Sequence, residues 1–172
     1  MRKSMIAAAL TAVVVLAAAT GAGAATTPSP SYQVAGLATV SPQGSTTSLT
    51  GLGSGSNGDR AFWRASIATA PLSSCSSLGS SCSITGGTFG LSSSNQSQLT
   101  GTFVAGNVTL TSQAPGCGRQ QFTVSGVANA TTGDVVSFNA VVTQFRLSFR
   151  GACFVLGSTV EGSVTVGSVM GG

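Results

Sequence analysis

The side chains that could carry out catalysis are scarce in this chain. Its 172 residues include no histidine and only three acidic residues, Asp59, Asp134 and Glu161. Without histidine, Ser/His and Cys/His nucleophilic catalysis and the commonest metal ligand are excluded. A glycosidase would need two of the three carboxylates at a defined separation, and Asp134 in TTGD is typical of a turn residue. We therefore expect a protein that is not an enzyme and uses no metal and no cofactor.

The arginines are the remaining residues that could bind a ligand, and four of them form two pairs. Arg60 and Arg64 flank Phe62 in DRAFWRASIA, and Arg146 and Arg150 lie in QFRLSFR. In a strand, each pair lies on one face about 13 Å apart. If the two strands are neighbours, these residues form one cationic surface for the carboxylates or phosphates of an acidic polymer, which arginine binds bidentately. The alternative is that they are solubility charges beside hydrophobic strands.

The distribution of positive charge argues against a nucleic-acid partner. Lys3 is the only lysine, and beyond Arg2 the arginines are few and scattered along the chain. Nucleic-acid-binding domains usually carry a dense basic stripe with exposed aromatic residues. We expect no nucleic acid among the partners.

The four cysteines, Cys75, Cys82, Cys117 and Cys153, predict two disulfides. Four cysteines allow three pairings; the simplest joins Cys75 to Cys82 and Cys117 to Cys153. In the chain-entropy account the small ring contributes about 2.5 kcal/mol and the large one about 4 kcal/mol. A zinc site is disfavoured because no pair has C-x-x-C spacing and histidine is absent.

The elements that position these residues are predicted to be strands. Apolar and polar residues alternate in about ten segments separated by turn residues, and no segment has a convincing helical period. In DRAFWRASIA the alternation places Ala61, Trp63, Ala65 and Ile67 in the core. The sequence therefore predicts a single antiparallel all-β domain, either a sandwich or a barrel of about eight to ten short strands.

Two patterns indicate how the sheet bends. An apolar residue, a polar residue and a glycine recur in several strands, which suggests strong curvature, as in a closed barrel or a tightly coiled sandwich; the glycines are Gly51, Gly86, Gly101, Gly126 and Gly162. In VVSFNAVVTQFRLSFR the apolar positions change parity between Val142 and Phe145. Either a β-bulge near 141–143 or coverage of both faces accounts for the change.

The first residues predict export. Arg2 and Lys3 precede an apolar run and the small residues Ala22-Gly23-Ala24, which is the layout of a signal peptide. We expect a signal peptide over 1–24, a flexible leader over 25–31 and one domain over 32–172, with no transmembrane segment after signal removal. The predicted location is secreted, whether extracellular, periplasmic or attached to the cell envelope.

These observations predict a secreted, non-catalytic binding protein. Its candidate surface is Arg60, Phe62, Arg64, Arg146 and Arg150, and its partner would be an anionic surface polymer or a secreted protein. One alternative is an enzyme inhibitor that presents the disulfide-closed loop 75–82, with Leu78 protruding, since a disulfide preorganises a binding loop. The other alternative is a carrier of a small apolar ligand inside a barrel.

Overall fold

A computed structural model describes residues 30–40, 45–56, 58–70, 75–94 and 98–167. The predicted signal peptide lies outside the described residues, as does most of the predicted leader. Eight strands make up the fold: β1 Ser31–Val40, β2 Thr46–Gly55, β3 Arg60–Thr69, β4 Ser81–Ser93, β5 Leu99–Gln113, β6 Gln120–Ala130, β7 Val135–Phe149 and β8 Ala152–Gly167. No helix among the described residues is long and apolar enough to cross a membrane.

The strands form a closed antiparallel barrel in which each pairs with its neighbour in sequence and β8 pairs with β1. The expectation of an all-β antiparallel domain is confirmed, and the architecture is the barrel. The eight strands lie within the predicted range of eight to ten. Closure pairs both sides of every strand within the barrel wall, which removes a common route to aggregation there.

The barrel interior is an apolar core that follows the alternation of the strands. In β3 the predicted core residues are all buried, and Trp63 is only 2% exposed. Its ring lies 5.9 Å from that of Phe138 on β7, and its indole nitrogen donates a hydrogen bond to the carbonyl oxygen of Ala35, 3.4 Å away. Trp63 thus spans the interior from β3 to β1 and satisfies the only polar atom of its side chain. On the outward face of β3, Arg60, Phe62 and Arg64 are exposed.

Glycine allows the strands to approach closely on the inner wall. Gly36 on β1 lies opposite Gly51 on β2. A Cβ atom at Gly51 would overlap the carbonyl oxygen of Ala35, and one at Gly162 would overlap that of Asn139. A side chain at either position would therefore force the neighbouring strand away. The predicted curvature is confirmed by the closure of the sheet.

Strands β7 and β8 continue beyond the rest of the barrel as a two-stranded ribbon. The last residue of β7 that pairs with β6 is Gln144, and the first residue of β8 that pairs with β1 is Thr159. Residues 145–157, here called the β7–β8 arm, therefore pair only with each other. Five residues of β7 beyond Gln144 correspond to roughly 16 Å at the usual rise per residue.

The arm explains the parity change in β7, and both sequence-based explanations of it were wrong. The register of 141–143 is continuous with both neighbouring strands, and the shift lies farther on, at Phe145 and Arg146, where Leu156 is the extra residue of β8. The stretch is not covered on both faces, because Phe145, Leu147 and Phe149 are 44–58% exposed. Gln144 and Arg146 continue the inward face of β7, while the odd-numbered apolar residues cover the outside of the arm.

Both disulfides have the predicted pairing and lie at one end of the barrel, here called the disulfide end. Cys75 is joined to Cys82 and Cys117 to Cys153. This end carries the connections β1–β2, β3–β4, β5–β6 and β7–β8, whereas Ser31 and Gly167 lie at the opposite end. Two disulfides are compatible with an oxidising, extracellular compartment.

Candidate functional site: the mouth cavity

The disulfide end opens into a cavity of about 650 Å³, here called the mouth cavity. Its apolar wall includes Leu110 of β5, Phe122 of β6 and Val155 of the arm. The interior below is nearly filled, since the two spaces found there have volumes of about 20 Å³ each, room for about one water molecule. Among the described residues, the mouth is therefore the part of the barrel axis with room for a small molecule.

A row of polar side chains lies at the base of the mouth cavity. Gln144 of β7 is paired with Gln120 of β6 on one side and with Ser158 of β8 on the other. All three line the cavity. The next inward-facing row toward the core is Phe122, Val142 and Val160, which is apolar. The mouth therefore has a hydrogen-bonding row on an apolar floor.

Two members of the polar row are buried and have no side-chain hydrogen-bond partner in the part of the chain that the structure describes. Gln144 and Ser158 are each 7% exposed, and within the described residues neither side chain takes part in a hydrogen bond. No side-chain nitrogen or oxygen that is fully enclosed in the described structure lacks a partner. The Gln144 amide and the Ser158 hydroxyl therefore reach the cavity, where they can bond to a molecule that enters it.

Among the described residues that line the mouth cavity, arginine is the only charged type. Arg146 lines the cavity, but its guanidinium bonds to the protein: Nε donates to the carbonyl oxygen of Gly118 at 3.2 Å and Nη2 to that of Gly116 at 3.4 Å. Asp59 and Asp134 lie at the opposite end, and Glu161 is exposed on the outer wall. The site can accept an uncharged or anionic molecule that has hydrogen-bonding groups.

Two devices hold the arm over the mouth cavity. The Cys117–Cys153 disulfide ties the start of β8 to the β5–β6 connection, and the two Arg146 hydrogen bonds reach the same connection. An isolated two-stranded ribbon is marginally stable in water. These attachments therefore keep the arm, and with it one wall of the cavity, in place.

The small disulfide ring forms another part of the rim. Cys75 and Ser76 line the mouth cavity. The backbone of the ring is fixed on β5, because Gly79 N–H donates to the Leu110 carbonyl at 2.8 Å and Leu110 N–H donates to the Ser80 carbonyl at 3.1 Å. Leu78 is 66% exposed. The loop 75–82 is thus a fixed rim with Leu78 on its outside.

The predicted cationic surface does not form as one patch. Arg60, Phe62 and Arg64 lie on the outside of β3, whose neighbours are β2 and β4, whereas Arg146 and Arg150 belong to β7, between β6 and β8. The condition that the two strands be neighbours is therefore not met. Moreover, Arg146 is turned toward the mouth, whereas Arg150 lies in the β7–β8 turn against the Phe149 ring.

Alternation alone did not reveal Gln120, Gln144 and Ser158 as site residues. The signal available in the sequence was the break of the inward apolar series of β7 at Gln144, after Val136, Phe138, Ala140 and Val142. A polar residue that continues a buried face marks either the end of the core or a site. Here it marks both, because Gln144 is buried and yet opens onto the cavity.

The described residues contain no cluster of three or more His, Cys, Asp or Glu side chains arranged to hold a metal ion. The comparisons with known proteins add no function to this geometry. No protein-family model, no curated protein and no solved structure matches the chain.

Proposed function

We propose that this protein is a secreted, non-catalytic binding protein that holds a small amphipathic molecule in the mouth cavity. The observation that carries the proposal is the pair of buried side chains, Gln144 and Ser158, which form no side-chain hydrogen bond within the described part of the chain and open into a cavity of about 650 Å³. Ligand sites are typically concave, mainly apolar and about 300–1,000 Å³ in volume, with a few convergent polar groups. The mouth cavity has these properties.

The chemistry of the lining defines the class of molecule. An apolar body would lie against Leu110, Phe122 and Val155, and its hydrogen-bonding group would face Gln120, Gln144 and Ser158. A primary amide both donates and accepts hydrogen bonds, so the site suits a hydroxyl, a carbonyl or a carboxyl group. A cationic molecule is disfavoured because Arg146 lines the cavity and no acidic side chain does.

The proposal includes export from the cell and a role in binding without catalysis. The signal-peptide layout of residues 1–24 and the two disulfides support a secreted protein. The three carboxylates lie outside the lining of the mouth cavity, which supports binding rather than acid–base chemistry there.

Native mass spectrometry of the unreduced protein, purified from its own culture medium, tests the proposal. We expect a component heavier than the disulfide-closed chain that is released on denaturation. The Ser158→Phe variant, which fills the cavity, should lose that component, and Thr159→Phe, which adds the same ring to the outer face one residue away, should keep it. Equal retention by both variants would place the ligand elsewhere.

A second candidate function is enzyme inhibition by the loop 75–82. It is favoured by the exposure of Leu78 and by the backbone bonds that fix the ring on β5, since a rigid exposed loop binds with little loss of entropy. Assays of a panel of secreted hydrolases with saturating protein test it. Inhibition that is lost on Leu78→Ser would support this function, and full activity of every enzyme would contradict it.

A further inference from the structure

The outer face of the β7–β8 arm is an exposed apolar surface. Phe145, Leu147, Phe149 and Phe154 are 44–58% exposed, although they are the kind of residue that normally fills a core. Contiguous apolar patches of this type usually mark an interaction site. The barrel packing does not require them, because the inward face of the same strands completes the core and the mouth.

The patch is concentrated at the tip of the arm. Leu147 and Phe154 are directly opposed across the two strands, and the rings of Phe149 and Phe154 meet edge to face at 6.4 Å. Arg150 lies in the turn, with its guanidinium carbon 5.3 Å from the centre of the Phe149 ring. The tip is therefore a narrow, convex group of aromatic and aliphatic side chains with a positive charge at its end.

Charge is distributed unevenly between the two ends of the barrel. Arg119, Arg146 and Arg150 lie at the disulfide end, on or beside the arm. Asp59 and Asp134 lie in connections at the opposite end, and Glu161 is on the side wall. These are all the acidic residues of the sequence. The end that carries the apolar tip is thus positive and contains no carboxylate side chain.

We propose that the tip of the β7–β8 arm docks on the surface of an anionic phospholipid bilayer. Aromatic and aliphatic side chains enter the boundary between headgroups and acyl chains, while neighbouring arginines meet the anionic headgroups. A convex tip suits a bilayer, which deforms around it. A second copy docked tip to tip would instead bring like charges together. The docking does not depend on a ligand in the mouth cavity, although the cavity would open toward the bilayer.

Co-sedimentation with phosphatidylcholine vesicles that contain about one third phosphatidylglycerol tests the docking. The wild-type chain should bind these vesicles and not pure phosphatidylcholine. The double variant Leu147→Ser/Phe154→Ser should bind at least about tenfold more weakly, and Arg150→Asn about fivefold more weakly, the effect of one interfacial charge. Leu52→Ser, which removes an apolar side chain that is 70% exposed on the barrel wall, is the matched control and should bind as the wild type does.

The remaining outcomes overturn the proposal. If the wild type ignores anionic vesicles, or if the variants bind as it does, the tip is not a lipid-binding element. If sedimentation velocity shows a dimer that the double variant abolishes while vesicles are ignored, the tip is a self-association surface instead. If Trp63 fluorescence shows that the double variant does not fold, two other measurements test the proposal. One is vesicle binding by Arg150→Asn, which should fold because asparagine suits the same turn. The other is the loss of wild-type vesicle binding at high salt.

Discussion

Arg146 donates hydrogen bonds to two backbone carbonyl oxygens of the β5–β6 connection, to Gly118 at 3.2 Å from Nε and to Gly116 at 3.4 Å from Nη2. The side chain thereby joins the base of the β7–β8 arm to the loop that carries Cys117. The arm contributes one wall of the mouth cavity, so the geometry of the cavity depends on this contact.

Replacing Arg146 with Gln should loosen the arm. We expect a loss of about 1 kcal/mol in the free energy of unfolding, because two charge-assisted hydrogen bonds are removed from a partly exposed site. Arg146→Lys should not restore the loss, since a single ammonium group cannot reproduce the fork of a guanidinium. Urea denaturation measures the change, and hydrogen exchange should accelerate within 145–157. Arg119→Gln, an exposed change at the same end, is the control and should have little effect.

The two disulfides should differ in their contribution to stability. Replacing Cys117 and Cys153 together with serine opens the larger ring and should cost about 4 kcal/mol, whereas the same change at Cys75 and Cys82 should cost about 2.5 kcal/mol. Denaturation under non-reducing conditions measures both. Equal losses, or the reverse order, would show that native-state contacts rather than ring size dominate the difference.

The close approach of β1 and β2 predicts a position-specific effect of adding one methyl group. Gly51→Ala should destabilise the barrel by about 2 kcal/mol or more, because the new Cβ atom would overlap the Ala35 carbonyl oxygen and force the strands apart. Gly157→Ala is the matched control, since no atom lies within 4 Å of its added Cβ; its effect should stay within about 0.5 kcal/mol. Thermal or urea unfolding compares the two variants.

Trp63 should report on the packing of the core. It is the only tryptophan and is 2% exposed, so its emission should be blue-shifted and poorly quenched by acrylamide until the barrel unfolds. Trp63→Phe should cost about 2 kcal/mol, because it removes the hydrogen bond to Ala35 and leaves a small void. Efficient quenching in the folded protein would contradict this placement of the indole.

The turn at the tip of the arm predicts a stabilising substitution. Arg150 and Gly151 occupy it with φ values of 52° and 79°, a pairing in which asparagine followed by glycine is preferred. Arg150→Asn should therefore stabilise the chain by up to about 1 kcal/mol. A loss of stability on urea denaturation would mean that the contact of Arg150 with Phe149 outweighs the backbone preference.

Local alternation predicted those parts of the fold that depend on one strand at a time. The buried set around Trp63 follows directly from the period of two, and the recurring glycines indicated a curved sheet because a strand has few other reasons to omit a side chain. The cysteine pairing followed from spacing and parsimony. Each of these properties is carried by residues close together in the sequence.

The site depends on relations between strands, which alternation does not contain. Whether Arg64 and Arg146 share a surface depends on strand order, and the order places β3 and β7 apart. A bulge or double coverage would explain the parity change after Val142 only if β7 stayed within the barrel wall, and β7 extends beyond it. The polar row around Gln144 becomes a site only because the arm and the loop 75–82 rise around it.

The most direct test of ligand binding in the mouth cavity is a fluorescence titration with anilinonaphthalene sulfonate, a probe with an apolar body and an anionic hydrogen-bond acceptor. The wild type, Ser158→Phe and Thr159→Phe are compared; all three keep the exposed arm, so any difference reports on the cavity. We predict saturable binding by the wild type and by Thr159→Phe. Binding by Ser158→Phe should be at least about tenfold weaker, because its phenyl ring occupies space that the probe needs. Equal binding by the two phenylalanine variants would contradict the proposal that the mouth cavity is the binding site.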